Sequence, residues 1–155
     1  MTGATQENSQ ALFNIDKIYV KDMSLEVPHA PKIFMGRDSP QVDIQLHTRA
    51  NTVEEGVFEV ELNATVTAKT GEKIMFLIEI KQAGIFQVRN VPVEELEPIM
   101  AVTCPNILFP YLRETVSDLA VRGGFSPVLL NPISFEALYQ QQKRQAQAAL
   151  STTAH

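Results

Sequence analysis

The run Cys104-Pro105-Asn106-Ile107-Leu108-Phe109-Pro110-Tyr111-Leu112-Arg113 constrains this chain more than any other stretch. Proline inside a helix removes a hydrogen bond and drives its ring into the carbonyl four residues back, so Pro110 is expected in a first turn. From there Leu112, Val116 and Leu119 recur on one face at helical spacing. Glu114 near the start and Arg122 in the last turn suit the helix macrodipole, and Gly123-Gly124 can supply a left-handed stop. The expectation is an apolar block led at a fixed angle into a helix of about four turns.

Upstream, four runs read as strands. In Leu12–Val27 the apolar positions are Phe13 and Ile15, then Ile18 and Val20, then Met23, Leu25 and Val27, so the alternation slips phase twice. A bulge at each slip explains this, and so does a long strand buried partly on both faces. Val42, Ile44 and Leu46 alternate cleanly with polar neighbours, as do Phe58, Val60, Leu62 and Val66. Lys69-Thr70-Gly71-Glu72 reads as a hairpin turn with Gly71 at positive φ. The fourth run sets Ile74, Phe76, Ile78 and Ile80 on one face and the mixed set Met75, Leu77, Glu79, Lys81 and Ile85 on the other.

The eight large apolar residues on the third and fourth runs represent roughly 12–24 kcal/mol of gross burial, at ~1.5–3 kcal/mol each. Such a face needs a cover, and helices follow the strands. The predicted class is therefore α+β: a four-stranded antiparallel sheet with a long central helix and a C-terminal helix packed on one side. Pro28–Gln41 is long for a hairpin and suggests a crossover. Val93–Thr103 is a weaker helical pattern that Pro98 should kink or end. The last helix starts near Ser134, a candidate N-cap, with Phe135, Leu138 and Tyr139 as its apolar turn. We divide the chain into a disordered tail at 1–11, one domain at 12–142, and a disordered tail at 143–155.

With 18 acidic and 13 basic residues the formal charge is −5, which argues against nucleic acid and leaves room for a basic protein partner. One cysteine excludes an intrachain disulfide. Met1–Gln10 lacks the basic and apolar segments of a signal peptide, and no run approaches a membrane span, so a cytoplasmic protein is expected. Neither GxxxxGK nor GxGxxG occurs, and no His has a spaced metal partner, so no cofactor is expected. Cys104 reads as packing rather than as a nucleophile, and Glu94-Glu95-Leu96-Glu97 as a solvated first turn rather than acid–base machinery. Ile33-Phe34-Met35 is an apolar triplet in a proline-rich loop. It reads as a core plug slightly ahead of an exposed binding lip.

These residues resemble the SecB family of bacterial protein-export chaperones. The matching stretches are Ile18-Tyr19-Val20-Lys21-Asp22, Leu25-Glu26-Val27-Pro28, Ala30-Pro31 and Gly84-Ile85-Phe86. They continue with Cys104 to Tyr111, Arg113-Glu114, Arg122-Gly123-Gly124-Phe125 and Phe135-Glu136-Ala137-Leu138, so that residues 12–142 are covered. The resemblance implies an ATP-independent, non-enzymatic homotetramer, a dimer of dimers with helices between sheets. It would hold unfolded precursor proteins and deliver them to the SecA translocase motor. Motor docking would fall on Asp22, Glu26, Leu77 and Glu79, and oligomer contacts on Ile78, Ile80 and Gln82. Candidate client-groove residues are Phe34, Met35, Val42, Ile44, Leu46, Phe86, Phe125, Leu138 and Tyr139. Unlike many members, this chain ends in Gln and Ala with Lys143 and Arg144 rather than in an acidic tail.

Two other readings are kept. One is a SecB-like chaperone dedicated to an antitoxin or another single client. The other is a hot-dog thioesterase, with Glu114 and Asp118 as its carboxylates, although both lie opposite Leu112, Val116 and Leu119.

Overall fold

A computed structural model describes residues 10–152. Strands β1 (Leu12–Glu26), β2 (Gln41–Glu54), β3 (Val57–Thr70) and β4 (Lys73–Arg89) form one antiparallel sheet in the order β1-β4-β3-β2. Two hairpins build its centre, turning at Gly56 (φ 74°) and at Gly71 (φ 60°), where glycine tolerates the left-handed backbone. Pro28–Pro40 then has to cross from one edge of the sheet to the other, as its length suggested. Both phase slips of β1 are bulges, between Ile15 and Lys17 and between Val20 and Asp22. Each adds one residue, and together they return Phe13, Ile15, Ile18, Val20, Met23 and Leu25 to one face.

One helical rod covers that inner face. It comprises α1 (Val93–Pro98), a π-helical turn (Ile99–Thr103) and α2 (Cys104–Arg122). Starting the helix at Pro110 is therefore wrong, whereas at Pro98 the regular α-helix does end, as expected, and gives way to the π turn. The π turn lies where the Pro105 ring would meet the Ala101 carbonyl, and the Cys104 N–H donates five residues back to Ile99. Pro110 stays inside α2 with its ring toward solvent. A helix-interior proline costs ~3 kcal/mol, whereas Leu108, Phe109 and Leu112 gain ~1.5–3 kcal/mol each from burial against the sheet. Burial wins, and the rod runs through.

Cys104, Leu108, Leu112, Val116 and Ala120 form the buried stripe of α2 over Val60, Leu62, Val66, Phe76, Ile78 and Ile80. The rod ends as expected, in a Schellman arrangement. The Gly124 N–H donates to the Val121 carbonyl, the Phe125 N–H donates to the Ala120 carbonyl, and Gly124 has φ 90°. Helix α3 (Phe135–Thr152) starts with the Ser134 hydroxyl accepting from the Ala137 N–H at 3.2 Å. It continues to Thr152, past the 142 boundary drawn from sequence, because Gln, Ala, Lys and Arg favour helix even without a buried face. Residues 1–9 of the expected N-terminal tail and 153–155 of the C-terminal one lie outside the described residues.

Candidate docking face and client grooves

Directly paired residues point to the same side of a sheet, so the register maps the outer face row by row. From β1 to β2 the rows are Lys17-Ile85-Glu59-Asn51, Tyr19-Ala83-Glu61-Arg49, Asp22-Lys81-Asn63-His47, Ser24-Glu79-Thr65-Gln45 and Glu26-Leu77-Thr67-Asp43. Asp22, Glu26, Leu77 and Glu79 therefore share one surface, drawn from two strands far apart in sequence. Glu26 is the direct partner of Leu77, and Asp22 is one row from Glu79. The β1 bulge at Lys21 is what turns Asp22 outward while Met23 and Leu25 face inward.

Charge is unevenly distributed along these rows. Glu59 accepts from the Tyr19 hydroxyl and from Lys21 Nζ at 2.9 Å, and Lys21 also reaches Glu61 at 3.7 Å. The Tyr19 hydroxyl and Lys21 hold the Glu59 carboxyl below the usual range. Tyr19 is pushed up to about 12, first by burial and then by Glu59. Asp22, Glu26 and Glu79, by contrast, take part in no ion pair among the described residues.

The apolar candidates lie on the other side, at the β2 edge. One groove of about 510 Å³ has Val42, Ile44, Phe125, Met75, Phe76 and Leu129 in its walls. A second, of about 320 Å³, is bounded by Leu46, Leu138, Tyr139, Met100 and Phe135. Phe125 stacks between Phe34 (5.3 Å) and Phe76 (4.7 Å), tying the crossover loop to the segment after α2. The triplet Ile33-Phe34-Met35 is not a plug. Only Ile33 is half-buried, Phe34 stands beside the first groove, and Met35 is 80% exposed.

Four placements need correction. Phe86 is 0% exposed beneath α2 and cannot line a groove. Ile78, Ile80 and Gln82 are also buried within the single chain. The two isoleucines pack in the core under α2, and Gln82 Nε2 donates to the Tyr19 carbonyl beside the β1 bulge at 3.0 Å. They cannot touch another chain directly. Phe86 lies in register with Ile15 on the inner face, so its strand phase was legible, but the depth of cover above it was not.

Sequence reasoning missed Met75, Phe76, Met100, Leu129 and Phe135 as groove walls, and the Tyr19–Lys21–Glu59–Glu61 cluster. Lys21 and Glu59 meet only once β1 and β3 flank β4. Among the catalytic candidates, burial pushes the Cys104 thiol up to about 12, and Asp118 accepts from Arg122 Nε at 2.9 Å on an exposed helix surface. Among the described residues no helix is long and apolar enough to cross a membrane.

A family profile described as "Preprotein translocase subunit SecB" matches residues 6–146. Relatives carrying the name "Protein-export protein SecB" include one from Azoarcus sp. strain BH72, 60% identical, covering 88% of this chain and 91% of the relative. Another, from Methylobacillus flagellatus, is 55% identical over 98% of this chain and 97% of the relative. Among solved structures, the Mycobacterium tuberculosis Rv1957 SecB-like chaperone in complex with a ChAD peptide from the Rv1956 HigA1 antitoxin has the same fold. It matches with a TM-score of 0.66 at 23% identity, over 79% of this chain and 91% of that one.

Proposed function

The chain belongs to the SecB family of preprotein translocase subunits, and from that membership we propose a division of labour between its two sheet faces. It is a chaperone of protein export. In our reading the two β2-edge grooves hold unfolded precursors in the cytoplasm, without ATP or any other cofactor and without enzymatic turnover. The outer face presents Asp22, Glu26 and Glu79 around Leu77 to the SecA motor.

The observation that carries this reading is the separation of surfaces. On the outer face Glu26 and Glu79 lie beside Leu77, with Asp22 two rows away next to Lys81, and none of the three carboxylates is in an ion pair among the described residues. Such an arrangement steers a basic partner and gives it one dry contact. The grooves on the opposite side are walled largely by apolar side chains, with the adaptable Met75 and Met100 among them and Glu97 and Gln142 at the second, which suits clients alike only in exposing apolar segments.

A homotetramer fits the same geometry. Phe13, Ile15, Val20 and Met23 line the inner face of edge strand β1 yet remain 39–53% exposed in one chain. A second copy would cover them. The antitoxin-dedicated reading has only a shared fold behind it, and the thioesterase reading lacks a buried carboxylate on α2.

Charge reversal of Asp22, Glu26 and Glu79 together should weaken SecA binding while capture of an unfolded precursor is unchanged. Unaltered SecA affinity refutes the docking assignment. Equal capture of folded and unfolded precursor refutes the chaperone reading.

A further inference from the structure

A hollow of about 540 Å³, larger than either groove, takes no part in the reading above. The crossover segment gives it His29, Lys32 and Asp38, and the start of β4 gives it Lys73. Met75 lines both this hollow and the first groove, so the two adjoin at a shared wall.

Charge distinguishes the two cavities. None of the residues around the first groove is ionisable, so it holds an apolar segment by contact alone. The hollow sets two lysines against one carboxylate. Its surroundings lean the same way: residues 28–41 and 69–75 carry Lys32, Arg37, Lys69 and Lys73 against Asp38 and Glu72. None of those four cations is in an ion pair among the described residues.

Exposed lysines near a turn ordinarily do no more than keep it solvated. Solubility gives no reason to gather cations here, since each brings a chain of net charge −5 nearer to neutrality. At physiological salt the Debye length is about 8 Å, so a client group entering the hollow meets the local excess of positive charge rather than the acidic total.

We propose that the hollow is a polar subsite of the first client groove, in which Lys32 and Lys73 take an Asp or Glu side chain flanking the client's apolar segment. This rests on the groove reading above, and deepens it. Asp38 opposes such a carboxylate, which nevertheless faces two ammonium groups for that one acid.

The test uses the full chain and three peptides with one apolar core, flanked at both ends by Asp, Asn or Lys. At low salt the Asp-flanked peptide should bind about three- to fivefold more tightly than the Asn-flanked one, near the gain of one unit-charge pair at about 4 Å in water. The Lys-flanked peptide should bind most weakly. Lys32→Glu combined with Lys73→Glu should reverse that order and leave the Asn-flanked peptide's affinity unchanged. Both side chains are exposed, so the urea midpoint should hold.

If the three peptides bind alike, if Lys flanks bind best, or if the double variant keeps the native order, the subsite is refuted and the groove reading stands. If the Asn-flanked peptide is not captured, or Ile44→Asp leaves its capture intact, both fall. Should inorganic phosphate erase the Asp preference where chloride at equal ionic strength does not, the hollow is a free-anion site and the proposal is overturned.

Discussion

Phe86 gives the sharpest test of how the two faces are separated. Its ring is fully buried, close to Leu108 of α2 through the gap left by Gly84, and 5.8 Å from the Phe13 ring. An ideal Cβ on Gly84 would stand 2.8 Å from the Phe86 ring and 3.1 Å from Leu108, so the helix sits directly on this part of β4. Truncating a fully buried phenylalanine costs about 3–5 kcal/mol, because the transfer loss and the cavity add. The upper half of that range applies if α2 cannot settle. The lower half applies if Phe13, half-exposed on the edge strand, folds into the space.

Phe86→Ala should thus remove a large share of a net stability of ~5–15 kcal/mol, seen as a lower urea midpoint at an unchanged slope. Leu138→Ala, a partly exposed wall of the second groove, should change the midpoint little and weaken precursor capture. The reverse pattern, with Phe86→Ala losing capture at a native midpoint, would show that the ring is open to clients and that the burial argument fails.

Other outcomes follow from the same geometry. Phe34→Ala removes one aromatic partner of Phe125, worth about 0.5–1.5 kcal/mol beyond area, and should also reduce precursor affinity in a peptide-binding titration. Cys104 should resist alkylation until the chain unfolds. Its thiol is raised when folded, so the unfolded chain loses its proton first. Stability should therefore fall as pH rises through the ordinary thiol range toward the raised folded value, and Cys104→Ala should flatten that slope. On the acid side Glu59 is lowered in the folded state, so its contribution is complete above the ordinary glutamate range and is lost as pH falls through the folded value. Tyr19→Phe should shrink that loss in acid-denaturation curves.

Much of this fold could be read directly. One of the two readings of the β1 slips, bulges, is the one formed, Gly71 marked a turn, and the even positions from Val60 to Val66 and from Phe76 to Ile80 marked the buried face; at the start of β4 a register shift buries Met75 rather than Ile74. The rod was misread at Pro110. Local sequence gives the cost of that proline, whereas the compensating burial depends on a sheet assembled from elsewhere. Phe86, Ile78 and Ile80 show the same limit. Their phase was clear, but what covers them is set by α2.

The proposed docking residues came from a resemblance, and the register puts Asp22, Glu26, Leu77 and Glu79 on one sheet face. The Lys21 cluster was invisible for the complementary reason: β1 and β3 meet only across β4, and no pattern within either strand announces the pair.

The central claim is that precursor and motor use different faces. It is tested most directly by titrating SecA onto this protein, first alone and then saturated with an unfolded precursor. The account predicts a ternary complex and SecA affinities that agree within about twofold, a coupling near zero. Displacement of the precursor by SecA, or a SecA affinity that collapses once the grooves are filled, would contradict it.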